Sequence, residues 1–196
     1  MQKFILILFS LLCFNLEAQE TSHQQIPISI AYWGYNAFHP GIKVGSQFNM
    51  RKWDKTKERK KGTRIKHKTL FLKPALGIYH HKKNHTGILL NSDFGVETSK
   101  SERKFFKTFS FGLGYARHFN SGITYILEED NTISEKKWAS RGYIMPSLNF
   151  GYGQNFQSFS WFNKFSVGSK LKYNTGNSLE LFFEAGVKCY PFNFRK

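Results

Sequence analysis

The chain is 196 residues long, 40% hydrophobic and 17% aromatic, with 29 Lys and Arg against 13 Asp and Glu and a net charge of +16. That length suits one domain. Two cysteines, Cys13 and Cys189, exclude a disulfide-stapled scaffold. With no Walker loop, dinucleotide fingerprint, Cys/His zinc module or nucleophile elbow, the motif-bearing enzyme classes drop away.

The N-terminus opens with Lys3, an apolar run Phe4–Phe14, and Leu16 and Ala18 placed for a cut before Gln19. These are the parts of a secretory signal peptide, and the run is shorter than the ~20 residues that a spanning helix needs. Cys13 sits inside the run, so it is not a lipid-anchor cysteine. Residues 1–18 are therefore expected to be a signal peptide and 19–196 a single exported domain. In an exported chain the positive charge directs the expected partners toward lipid head groups, lipopolysaccharide phosphates or acidic polysaccharide, and away from nucleic acid.

Ile26–Asn36 alternates large apolar and small residues, and His39-Pro40-Gly41 reads as a turn into a second strand, Ile42–Arg51. Lys52–Lys68 is a charge block, expected as a solvated loop or as a patch for an acidic partner. Leu70–Tyr79 and Ile88–Glu97 alternate on either side of the turn His80–His85. After Thr98–Arg103 comes Lys104–Phe119, whose one face reads Phe105, Lys107, Phe109, Phe111, Leu113, Tyr115, Arg117, Phe119 and whose other face is mostly small or polar. Asn120–Arg141 is too long for a tight turn and is expected as an elaborated loop with a strand-like piece at Ile123–Leu127. Gly142–Gly153, Phe159–Tyr173 and Leu179–Phe194 complete the set, the last two joined by a turn containing Gly176.

Eight strands with a period of two and no helix between them predict an all-β, eight-stranded, antiparallel up-and-down transmembrane β-barrel. Bulky residues would face lipid, and the lumen would be filled by side chains without an open pore. The even strand count puts both termini on one side, taken as periplasmic. A soluble lipocalin-like carrier would need its greasy face inward. Here the inward set holds glycines and charges. On the signal peptide, the eight alternating strands and the aromatic-rich end Tyr190–Phe194, the chain resembles the small outer-membrane β-barrel proteins of Gram-negative bacteria. The resemblance implies an outer-membrane location, a monomer, and contact with outer-membrane lipid and lipopolysaccharide.

The inward register collects Lys43, Arg51, Lys73, Asp93, Glu97, Lys164, Lys170, Glu180, Glu184 and Lys188. Charges in a narrow lumen must pair, so these predict a salt-bridge network. His39, His80, His81, His85 and His118 all fall at the end away from the termini, where neutral imidazoles are weak metal candidates. Their spacing matches no metal signature, and no cofactor is expected. His118-Phe119-Asn120-Ser121 resembles the His-x-Ser-Asn stretch of outer-membrane lipid A deacylases, with Ser and Asn exchanged. The expected role is structural or interactive and non-catalytic; the alternatives are a deacylase-like lipid A-modifying enzyme and the lipocalin-like carrier.

Overall fold

Alternation of side chains across an extended backbone sorts each segment into two faces, and those faces decide how the segments pair. The computed structural model describes residues 26–35, 39–59, 62–82, 84–100, 103–128, 132–156, 158–173 and 176–190. The segment expected as a signal peptide (Met1–Ala18) and most of the Tyr190–Phe194 stretch lie outside the described residues. The strands are β1 (Ile28–Tyr35), β2 (Gly41–Ser46), β3 (Phe48–Arg59), β4 (Gly62–His81), β5 (His85–Lys100), β6 (Arg103–Asn120), β7 (Thr124–Leu127), β8 (Ile133–Lys136), β9 (Ser140–Asn155), β10 (Phe159–Tyr173) and β11 (Gly176–Cys189).

The sheet runs β2-β1-β11-β10-β9-β6-β5-β4-β3, and a further β2–β4 pairing closes it. β2 and β3 are two halves of one wall strand, so the ring has eight staves, all antiparallel. Closure leaves the wall without unpaired edges, which is what lets a sheet stand in hydrocarbon. β7 and β8 pair only with each other, so the long Asn120–Arg141 connection carries its own hairpin.

Pairing with β4 keeps one register across the break at Gln47, and a bulge between Asn49 and Arg51 then shifts it by one residue. A one-residue bulge moves every later side chain to the opposite face. Arg51, expected in the lumen, is therefore outward and exposed. Beyond the bulge the chain does not dissolve into a loop. β3 and β4 stay paired from Lys52↔Thr69 to Arg59↔Gly62, so the charge block is a β-hairpin projecting on the side of the termini. The turn at Lys82, the β7–β8 hairpin, and the strand ends Tyr173 and Gly176 lie at the other end.

The faces are those of a membrane barrel. Ile30, Leu76, Leu90, Phe111, Leu148 and Phe183 are among the large apolar residues left exposed on the outside, while Lys43, Asp93, Lys164 and Glu184 are buried inside. A soluble domain does not expose so continuous an apolar band; a bilayer is the solvent that suits it. Within the lumen, Trp33, Tyr79, Leu89, Ala116, Met145 and Phe182 form one apolar layer, and Ala31, Phe106 and Phe162 form another nearer the termini. No helix among the described residues is long and apolar enough to cross a membrane.

Phe111→Arg, in the middle of the outward band of β6, should destabilise the barrel in lipid vesicles by about 2–4 kcal/mol, and Thr98→Arg, near the edge of that band, by about 0–1 kcal/mol. Denaturant unfolding of vesicle-inserted protein measures both; equal losses would mean that the band does not sit in hydrocarbon.

Candidate functional site

The lumen is organised in alternating ionic and apolar layers. At its centre, Lys43 on β2 and Lys164 on β10 both meet Glu184 on β11, at 2.6 and 2.8 Å, and Lys164 also meets Asp93 on β5 at 2.8 Å. Asn91 and Asn149 donate to Asp93 Oδ1 at 2.8 and 3.2 Å. Glu184 is only 1% exposed. A carboxylate so buried is tolerable because two ammonium groups satisfy it. Toward the termini, Lys188 bridges Glu97 at 2.9 Å and Gln47 Oε1 at 3.2 Å. Toward the other end, Lys170 pairs with Glu180 at 2.9 Å.

Lys73 faces the same lumen, but no described carboxylate lies within ion-pair distance of it; its ammonium sits 4.4 Å from the centre of the Phe162 ring, a cation–π contact. Lys188 sits likewise over Phe106 at 4.4 Å. Of the ten charges expected in the lumen, then, Arg51 alone lies on the outside. Among the described residues, two small cavities of ≈ 30 and ≈ 10 Å³ lie between these groups, room for a water or two.

Small residues make this packing fit. A Cβ at Gly112, on β6, would lie 2.7 Å from Asp93 Oδ1 and against Ser147 Oγ. A Cβ at Gly77 would lie 2.8 Å from the Trp33 ring. Trp33 in turn stacks on Phe182 and meets Tyr79 edge-on, with ring centres 5.5 and 5.3 Å apart. This apolar layer separates the central ions from the mouth.

At the mouth four imidazoles form a column. His39 and His81 have ring centres 3.7 Å apart, His81 and His85 5.4 Å, and His85 and His118 4.4 Å. The Tyr79 hydroxyl lies 2.9 Å from Nε2 of both His85 and His118. With one hydrogen, that hydroxyl donates to one ring and accepts from the other, so the two imidazoles carry their protons differently. His39, in the loop beyond β1, has its pKa lowered by burial and by the neighbouring His81, which favours the neutral ring. His80 points outside and bonds Thr86 Oγ1 at 3.1 Å, apart from the column. Stacked rings do not converge their nitrogens, and no group of three or more His, Cys, Asp or Glu among the described residues is placed to hold a metal ion.

His118 faces the lumen and is buried, with its Nε2 engaged by Tyr79. Ser121 is exposed just past β6, its backbone N–H donating to the Asn84 carbonyl at 2.9 Å. The two therefore stand at the same rim but are not a formed nucleophile–base pair. Sequence periodicity could place each histidine at this end, but not Tyr79 between them. Tyr79 reads as one more inward aromatic until β4, β5 and β6 are laid side by side.

No protein-family model matches the chain, and no curated protein matches it in sequence. Among solved structures it is similar to the outer membrane enzyme PagL, with a TM-score of 0.54 and 12% identity over 84% of this chain and 99% of that one. At that identity the likeness establishes the fold, an eight-stranded membrane barrel.

Glu184→Gln removes the charge that two buried lysines share, so it should destabilise the barrel by about 3–5 kcal/mol. Glu97→Gln, nearer the termini and more exposed, should have a smaller effect. Unfolding midpoints in detergent compare the two; equal effects would mean that the central cluster is not the ionic core.

Proposed function

We propose that this chain is a non-conducting outer-membrane barrel of a Gram-negative envelope that acts on outer-leaflet lipid at its histidine-lined mouth, with deacylation of lipid A as the reaction class. The sealed lumen carries this reading. With the interior filled by ion pairs and aromatic layers, the lumen's acid–base groups within reach of outer-leaflet lipid are those at the mouth. The likeness to PagL, an outer membrane enzyme, supports catalysis more than a purely structural role.

The chemistry asks for a hydroxyl nucleophile and a base within hydrogen-bond reach. Ser121 is the candidate nucleophile and His118 the base. His118 has to exchange its Tyr79 partner for the Ser121 hydroxyl, after which the serine oxygen attacks an acyl ester while the imidazole takes its proton. The ester C–O bond breaks, and the imidazolium protonates the leaving sugar alkoxide. Water, deprotonated by the same imidazole, then hydrolyses the acyl-serine to release the fatty acid. Tyr79 and His85 then serve as positioning residues, holding the tautomer of His118 at rest.

A second reading, a non-catalytic interaction protein, rests on the β7–β8 hairpin. Tyr125, Ile133 and Trp138 are exposed there, and Trp138 holds a φ of 60°, a conformation that an aromatic residue seldom adopts without a local reason.

Lipid A from envelopes with and without the protein separates the two. Mass spectra should show loss of one acyl chain, abolished by Ser121→Ala and by His118→Ala, while heat-modifiable gel migration confirms that both variants fold. An unaltered acyl pattern with folded wild-type protein would overturn the enzyme reading and leave the binding one.

A further inference from the structure

Four neighbouring strands change character in the same way as they run toward the termini. On the outward face of β4, Leu72 and Leu70 give way to Lys68 and Lys66; on β5, Phe94 and Val96 give way to Thr98 and Lys100. On β6, Phe111 and Phe109 give way to Lys107, and on β3, Phe48 and Met50 give way to Arg51, Trp53 and Lys55. The strands β9, β10 and β11 end differently, in Tyr152, Phe159, Trp161 and Val187. The cations are confined to one sector of the wall.

Register sets like charges side by side in this sector. Lys55 stands directly opposite Lys66, and Lys66 opposite Lys100. Like charges at directly opposed positions destabilise a ladder. None of the described outward positions at this level is Asp or Glu. The hairpin's acids lie on its other face, where Asp54 meets His67 at 2.7 Å. Trp53 is opposite Lys68, and Lys107 is opposite Tyr152, so aromatic rings stand beside the cations where the apolar band ends. That pairing of amphipathic rings and lysines is the chemistry of a membrane interface.

We infer that the outward face of β3–β6, at Lys55, Lys66, Lys68 and Lys107, is a binding surface for the phosphate of anionic phospholipid head groups in the leaflet on the side of the termini. The charges continue the lipid-facing wall itself, so the ligand arrives with its acyl chains along Leu70, Val96 and Phe109 and its phosphate among the ammonium groups. Adjacent strands are about 4.8 Å apart, close enough for neighbouring lysines to share one phosphate. This surface requires the barrel to span a bilayer, but it does not depend on any activity at the mouth.

The test uses the full mature chain refolded into vesicles of equimolar phosphatidylglycerol and phosphatidylcholine, with the lipids retained after gentle extraction identified by native mass spectrometry. Phosphatidylglycerol should be enriched about fivefold or more, the factor that one cation near an anionic surface supplies. The variant with Lys55, Lys66, Lys68 and Lys107 all changed to Gln should lose the enrichment, while the same four positions changed to Arg should keep it. Equal retention of both lipids by folded wild-type protein, or enrichment that survives the Gln changes, would overturn the inference. Heat-modifiable migration reports folding in each case. A chain that gives no folded band in vesicles would overturn the membrane reading and this surface with it.

Discussion

Glu184 holds two lysines from two different strands, and through Lys164 it reaches Asp93 on a third. A lumen with room for only a water or two leaves these charges little water to fall back on, so they are satisfied chiefly by other side chains. The requirement fixes more than pairing. Lys43 comes from the second stave of the ring, Asp93 from the fourth, and Lys164 and Glu184 from the last two. The cluster therefore spans the barrel from wall to wall, and its geometry exists only when the β2–β4 pairing has closed the sheet.

Around that centre, apolar layers insulate the two ends from each other. The Trp33–Tyr79–Phe182 layer lies between the central ions and the imidazole column, and Phe106 and Phe162 pack beside the Lys188–Glu97 pair nearer the termini. Among the described residues the interior is filled by these side chains. At the rim, the mouth offers acid–base groups, and on the outer wall the β3–β6 sector offers fixed positive charge.

Much of this was legible in the residues. Strict alternation in Lys104–Phe119 separates the outward Phe109, Phe111 and Leu113 from the inward Ser110, Gly112 and Ala116, and the barrel keeps that division. The lumen charges other than Arg51 also follow from parity, because inward positions on antiparallel strands recur every second residue. Arg51 departs because a bulge inserts one residue without any strong sequence mark. The Lys52–Lys68 block departs because like-charge runs usually stay solvated, whereas here cross-strand pairing with β4 carries the ribbon past the wall.

The sequence by itself determined the period of two, the strand count and which face of each strand is greasy, since these depend on side chains a few residues apart. The tertiary structure decided which residues meet. Tyr79 between His85 and His118, Glu184 between Lys43 and Lys164, and the lysine row across β3, β4 and β5 join positions far apart in the chain. Local periodicity says only that each side chain points inward or outward. The register of the closed ladder sets the height at which it stands, and height decides which partner it touches.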